Sequence, residues 1–132
     1  MIYLLDVNAL VALGFQQHEF HHRVASWVAG DRPSHLATCS ITELGFVRVL
    51  SQAAAYGFSI TQARALLLRL KRSPSPQFTF MPDENDVSLL PAWANAAAHV
   101  TDGHLAELAK AHEALLATLD RRIPGAFLIP EE

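Results

Sequence analysis

Short apolar runs alternate with longer segments of helical periodicity along this chain. Runs without polar alternation are typical of strands buried on both faces of a parallel sheet. Four such runs lie at 2–5, 35–38, 78–81 and 115–119, and a shorter one lies at 127–129. Because strands and helices alternate, the pattern predicts an α/β domain with a mainly parallel sheet of four to five strands.

The segments between these runs carry apolar residues at the spacing of amphipathic helices. The predicted helices cover 7–15, 18–29, 40–56, 61–72 and 101–113. Ser40 and Glu43 have the spacing of a capping box, which predicts that the third helix begins there. Before the last helix we expect a short helix through residue 90, capped by Asp83 or Asn85, and an alanine-rich helix over 91–98.

Length and composition predict one globular domain over residues 1–132. The single cysteine, Cys39, excludes an internal disulfide and suits a reducing cytosol, so we expect a cytoplasmic protein. We expect no signal peptide, because no basic segment precedes a long apolar one at the start. No apolar run approaches the roughly 20 residues of a membrane span.

Four carboxylates fall where this fold class binds ligands. Asp6 and Asp120 each follow a predicted strand, and Glu43 and Asp102 lie at predicted helix starts. Because open α/β sheets bind ligands beyond the carboxyl ends of their strands, we expect the four acids in one crevice. Each acid alone has a plain structural interpretation as a helix cap or turn former, and only the set favours a functional site.

Such a gathering of negative charge favours a bound cation. Two like charges about 4 Å apart repel by about 4 kcal/mol at an effective dielectric constant of about 20. Oxygen donors without His or Cys favour Mg²⁺ or Mn²⁺ over Zn²⁺. These ions accept phosphate oxygens, lower the pKa of a bound water and can stabilise an in-line displacement.

Net charge argues only weakly against a nucleic-acid ligand. The formal charge of the chain is −3, and setting the four acids aside leaves +1 for the remainder. A divalent cation among the acids would also reverse the local field. Nucleic acid therefore stays among the classes of ligand that the composition allows.

Four segments surround the four acids: Leu4-Leu5-Asp6-Val7-Asn8-Ala9-Leu10, Thr42-Glu43-Leu44 with Arg48-Val49-Leu50, Val100-Thr101-Asp102 with 105–109, and Leu116-Ala117-Thr118-Leu119-Asp120-Arg121. They resemble the motifs of the PIN-domain family and, within it, of the VapC-type toxins. Residues 78–83 resemble the middle strand of the family. The resemblance spans nearly the whole chain, with four motifs in the family's order and at its spacings.

This resemblance implies a three-layer α/β/α sandwich and an endoribonuclease dependent on Mg²⁺ or Mn²⁺. The implied catalytic and metal-binding acids are Asp6, Glu43, Asp102 and Asp120, with Asp6 and Asp102 as direct ligands. The residues implied to support the ligands or orient the substrate are Asn8, Thr42, Thr101 and Thr118. The implied role is the toxin of a toxin–antitoxin pair, and the implied partners are RNA, a second copy in a homodimer, and a VapB-type antitoxin in a hetero-oligomer.

Several other side chains have a functional and a plain interpretation. Arg121 and Arg122 adjoin Asp120 and are candidates for contact with RNA phosphates, and His104, near Asp102, is a weaker one. His18 and His22 lie four residues apart on a predicted helix but lack the glutamate of a zinc-protease motif, so we interpret them as a helix face or groove wall. The basic group Arg64, Arg69, Lys71 and Arg72 is interpreted as a solvated helix face. Apolar residues at 15–20 and 66–70 could form a groove for the antitoxin.

Two other functions compete with a metal-dependent nuclease. A phosphorelay receiver also has acids at strand ends, but it needs a lysine late in the chain, and Lys110 lies inside a predicted helix. A non-catalytic PIN-like binding module that acts through a protein partner is the closer alternative. The intact set of four acids argues against that module.

Overall fold

The computed structural model describes residues 1–30 and 35–131. Within these residues, five strands form one sheet in the order β3-β2-β1-β4-β5, and each neighbouring pair is parallel. The strands are β1 (Ile2–Leu5), β2 (His35–Thr38), β3 (Gln77–Phe80), β4 (Leu115–Thr118) and β5 (Phe127–Leu128). This confirms the predicted parallel sheet.

Five α-helices occur in the same described residues. They are α1 (Val7–Gly14), α2 (His21–Gly30), α3 (Ser40–Gln52), α4 (Ile60–Lys71) and α5 (Val100–Ala111). Two short 3₁₀ helices, Val87–Leu89 and Ala97–His99, lie between β3 and α5. None of the described helices has the length and apolar character needed to cross a membrane.

Helices cover both faces of the sheet. In β1, Leu5 packs into a core shared with α1 to α4, whereas Leu4 packs into a second core with α5. In β4, Ala117 and Leu116 divide between the same two cores. Because successive side chains of a strand point to opposite faces, the apolar runs fill both cores at once. The three-layer α/β/α sandwich that the resemblance implied is therefore confirmed.

The start of α3 differs by one residue from the predicted capping box. Cys39 is the N-cap, and its backbone N–H donates to the Thr42 hydroxyl at 2.9 Å. Ser40 is the first helical residue, so Glu43 falls beyond the cap and its carboxylate is available for other partners. The helix also ends at Gln52 and not near residue 56.

The segment between β3 and α5 is less helical than predicted. Residues 91–98 form turns and part of a 3₁₀ helix, since a segment this short needs a buried face and Ala96, Ala97 and Ala98 are exposed. Pro91 and Ala94 pack instead against α5 at Gly103, where a Cβ would lie 2.7 Å from the Ala94 Cβ.

The predicted caps in this segment are wrong. Asp86, and neither Asp83 nor Asn85, caps the 3₁₀ helix Val87–Leu89 by accepting from the Ser88 N–H at 2.9 Å. The Asp83 carboxylate instead accepts from the Asn85 backbone N–H at 3.0 Å and pairs with His104.

Candidate active site

The parallel sheet brings the ends of β1 and β4 together at one edge. The Asp6 N–H donates to the Ala117 carbonyl at 3.1 Å, so Asp6 continues the pairing of β1 with β4 by one residue. Asp120 lies two residues beyond the end of β4. The two strand-end acids therefore meet because their strands are neighbours in the sheet.

Asp6 serves the fold and the site at once. One carboxylate oxygen accepts from the Ala9 N–H at 2.8 Å and caps α1, and the other accepts from the Thr118 hydroxyl at 2.5 Å. The side chain is buried, with 6% of the residue exposed. Burial raises the pKa of Asp6 to about 6, against the effect of both hydrogen bonds, and the charges of Asp102 and Asp120 raise it further.

Asp102 and Asp120 complete a group of three interacting acids. Asp102 lies in the first turn of α5, where burial and then the charge of Asp120 raise its pKa. Asp120 has a lowered pKa because Arg122 donates to it from its side chain and its backbone. Electrostatic interaction with Arg122 and His99 favours ionisation of both acids. We call Asp6, Asp102 and Asp120 the aspartate cluster.

Glu43 has different partners. Its Oε2 accepts from the Thr38 hydroxyl at 2.6 Å and from the Lys71 ammonium at 2.5 Å. Thr38 is the last residue of β2, and Lys71 is the last residue of α4, where its ammonium also lies 5.4 Å from the centre of the Phe80 ring. The fourth predicted acid is thus neutralised by a lysine of this chain.

The four supporting residues of the prediction occupy different environments. Thr118 is buried, and its hydroxyl accepts from the Asp120 N–H at 2.9 Å while donating to Asp6, so it joins two acids of the cluster. Thr42 is also buried, but its hydroxyl bonds with the Cys39 backbone. Asn8 is exposed in α1, and Thr101 is exposed in α5.

The three residues predicted to contact RNA also differ in their surroundings. His104 pairs through Nε2 with the Asp83 carboxylate at 2.5 Å, and Arg121 pairs with Glu131 at 2.7 Å. Arg122 pairs with Asp120 through Nε at 3.0 Å and Nη2 at 3.0 Å. Among these three, Arg122 is the one that contacts an acid of the cluster.

Sequence reasoning missed Thr38, Lys71 and His99 as neighbours of the acids. One signal was available for Thr38, because β2 and β4 both end in Leu-Ala-Thr. Each of these terminal threonines donates to an acid of the predicted set, Thr38 to Glu43 and Thr118 to Asp6. No comparable signal marks Lys71, which lies 28 residues after Glu43.

A cleft of about 950 Å³ opens beside the aspartate cluster. Its walls include Asp6, Asn8, Asp120 and Arg122, and also His18 and Phe20 from the turns before α2. His18 lies outside α2, so the prediction that His18 and His22 lie on one helix is wrong. His18 and Phe20 do form part of a wall, as the groove interpretation expected.

The donor set of the aspartate cluster fits a hard cation. All its side-chain donors are carboxylate oxygens, and the charges of neighbouring acids raise the pKa of Asp6 and Asp102, which a divalent ion would reverse. As the side chains stand, the described residues contain no group of three or more His, Cys, Asp or Glu arranged to hold a metal ion. A Mg²⁺ ion held by one or two carboxylates and completed by water and phosphate oxygens does not need such a group.

Comparison with known proteins agrees with these motifs. Residues 3–126 match the family model of the PIN domain. Ribonuclease VapC38 of Mycobacterium tuberculosis is 34% identical, over 98% of this chain and 90% of its own length. Ribonuclease VapC44 and Ribonuclease VapC39 of the same organism are 35% and 36% identical, over 93% and 91% of this chain and 92% and 89% of their own lengths. The chain therefore belongs to the PIN-domain family, within its VapC group.

Proposed function

We propose that this chain is an endoribonuclease that hydrolyses RNA phosphodiester bonds with Mg²⁺ or Mn²⁺ held by the aspartate cluster. The observation that carries the proposal is the convergence of Asp6, Asp102 and Asp120, whose charges oppose one another at the edge where α/β sheets bind ligands. The VapC-type relatives, which are named ribonucleases, support the same reaction.

When bound, the cation supplies an acidified water and charge stabilisation for the phosphate undergoing substitution. The chain holds the three carboxylates in position. Thr118 fixes the Asp6 carboxylate relative to the Asp120 backbone, and the first turn of α5 carries Asp102 to the same edge. The cleft beside the acids gives an RNA strand access to them.

Glu43 stays a predicted ligand whose charge is already paired. The Thr38 hydroxyl and the Lys71 ammonium both contact Oε2 of its carboxylate. We therefore assign the three aspartates the main share of metal binding. Glu43 has a smaller share, because Lys71 neutralises its charge in part.

We further propose that the protein is the toxin of a toxin–antitoxin pair, active as a homodimer and neutralised by a VapB-type antitoxin. The relatives of the VapC group support this role. Growth arrest on expression, relieved by co-expression of a small reading frame encoded immediately upstream, tests the pairing. Growth arrest that this reading frame leaves unrelieved would contradict it.

The reaction is tested by cleavage of RNA with purified protein in Mn²⁺. We expect cleavage that excess EDTA stops and that Asp102→Asn abolishes. Glu107→Gln is the matched control, because it removes one negative charge from the same helix at a residue paired only with Lys110 among the ion pairs described. Full cleavage in EDTA or by Asp102→Asn would overturn the proposal, and RNA binding without cleavage would favour the non-catalytic module.

A further inference from the structure

Two adjacent arginines after β4 have different partners. Arg121 and Arg122 are almost equally exposed, with 72% and 76% of their side chains accessible. Arg121 pairs with Glu131 near the end of the chain, whereas Arg122 pairs with Asp120 of the aspartate cluster. Both border the cleft, so their partners, and not their exposure, distinguish them.

The contact between Arg122 and Asp120 has the form in which a guanidinium binds a phosphate. Nε and Nη2 donate to the two carboxylate oxygens, each at 3.0 Å, in a parallel pair of hydrogen bonds. The Arg122 backbone N–H donates to the same carboxylate at 2.9 Å, so the turn itself places this residue beside the acids. The guanidinium thus presents donors suited to an oxyanion at the mouth of the cleft.

The ion pair of Arg122 with Asp120 can be broken at little cost in free energy. An ion pair this exposed contributes little free energy, because water solvates both groups well. Arg122 also lies close enough to Asp102 for its charge to act on that carboxylate. A cation bound among the aspartates would repel the guanidinium and compete with it for Asp120.

We propose that Arg122 contacts the substrate: it exchanges the Asp120 carboxylate for a phosphate of bound RNA, and without RNA it competes with the metal ion for Asp120. This inference rests on the proposed ribonuclease function. It also divides the predicted RNA contacts, because the partners of Arg121 and His104, which are Glu131 and Asp83, are not acids of the cluster.

The two roles of Arg122 have effects of opposite sign when the side chain is removed. Arg122→Ala loses a phosphate contact, so the KM for RNA rises, by about tenfold for a charge-assisted hydrogen bond. It also removes a competing cation, so the Kd for Mn²⁺ falls, by about threefold. If Arg122 merely stabilised the turn, its removal would weaken the binding of both RNA and Mn²⁺, since Asp120 would become less ordered.

The experiment compares Arg122→Ala with Arg121→Ala, which makes the same change in net charge one residue away. The KM and kcat for cleavage of a mixed-sequence single-stranded RNA are measured in saturating Mn²⁺, and the Kd for Mn²⁺ is measured by calorimetry without RNA. We expect the higher KM, an almost unchanged kcat and the tighter Mn²⁺ binding in Arg122→Ala alone. Arg122→Lys should recover part of the RNA affinity, because lysine keeps the positive charge but cannot donate the parallel pair of hydrogen bonds of a guanidinium.

Equal KM values for the two alanine variants would overturn the inference, as would weaker Mn²⁺ binding in Arg122→Ala. In either case, cleavage by the unmodified chain would leave the proposed function standing. Failure of the unmodified chain to cleave RNA in Mn²⁺ would overturn the function and this inference together.

Discussion

The acid near the β2 end of the sheet edge has different partners from the acids near β1 and β4. On the β2 side, Glu43 accepts a hydroxyl and an ammonium, so its charge is paired within the chain. On the β1 and β4 side, Asp6 and Asp102 lie where burial and neighbouring carboxylates oppose their ionisation. The chain thus leaves Asp6 and Asp102 without a partner among the ion pairs described, whereas it pairs Asp120 with Arg122 and, beside the adjacent strand β2, Glu43 with Lys71.

The difference indicates which of the two regions is built for a ligand. Glu43 shows that this fold can pair one of the four acids with a lysine. Repulsion between the buried Asp6 carboxylate and its partly exposed neighbours Asp102 and Asp120 costs stability in the free protein, which a divalent cation would return on binding. The aspartate cluster is therefore the region where we expect metal and substrate.

The largest effect should come from Asp6→Asn. Its amide keeps the cap on α1 but removes a charge from the cluster, so we expect cleavage in Mn²⁺ to fall by about a hundredfold or more. Single-turnover cleavage of RNA measures this effect. A variant that folds, shown by an unchanged circular dichroism spectrum, and cleaves at the original rate would remove Asp6 from the mechanism.

A second prediction concerns stability and pH without metal. The pKa of Asp6 is raised to about 6, so its protonated form stabilises the fold fully below pH about 3.8, and this stability is lost as pH rises through about 6. We expect the free energy of unfolding in EDTA to fall by roughly 3 kcal/mol over this window, and Asp6→Asn to lack that fall. Urea unfolding at several pH values measures the difference.

The control for this effect is Mn²⁺ at pH 7. It should raise the stability of the unmodified chain more than that of Asp6→Asn, because only the former keeps the full cluster. If the two proteins showed the same dependence on pH in EDTA, Asp6 would not carry the buried charge described here.

A third prediction addresses the compensated region. Lys71→Met keeps the apolar stem but leaves Glu43 without its cation, and we expect a loss of about 1–2 kcal/mol for this partly buried pair. Glu43→Gln in the same protein should recover most of the loss. Arg69→Met, an exposed residue of the same helix, should change stability by less than about 0.5 kcal/mol. Additive effects of Lys71→Met and Glu43→Gln would show that the pair is not coupled.

The smallest effect should come from the pair of Asp83 and His104, which joins the segment after β3 to α5. Burial opposes ionisation of Asp83, but hydrogen bonds from His104 and Asn85 outweigh it and lower the pKa. The pair therefore stabilises the fold above the ordinary pKa of an aspartate, and this contribution is lost as pH falls through the lowered value. We expect Asp83→Asn to cost about 1 kcal/mol at pH 7 and nothing in strong acid.

Thermal unfolding of Asp83→Asn beside Glu84→Gln, an exposed neighbour, measures this effect. A loss of stability that persisted undiminished at low pH would assign it to packing and not to the ion pair.

The sequence predicted the fold well because the two cores need continuous apolar strands. Ile2–Leu5 and His35–Thr38 have the predicted bounds, since each strand contributes side chains to both cores. Residues 91–98 were mispredicted because helix propensity is weak without a face to bury.

The site was predictable in part for a related reason. Asp6, Asp102 and Asp120 could be expected together, because their positions follow from the order of strands and helix starts. Whether an acid pairs with a basic side chain depends on residues from distant elements, as with Lys71 and Glu43. No local sequence pattern encodes such a pair. The shift of the α3 cap from Ser40 to Cys39 is a change of one residue that local spacing could not resolve.

Calorimetric titration of the metal-free protein with Mn²⁺ at pH 7 tests the central claim most directly. We expect the unmodified chain to bind Mn²⁺, Asp102→Asn to bind at least about tenfold more weakly, and Glu43→Gln to change the Kd by less than about threefold. Absence of binding to the unmodified chain, or a greater loss in Glu43→Gln than in Asp102→Asn, would contradict the account.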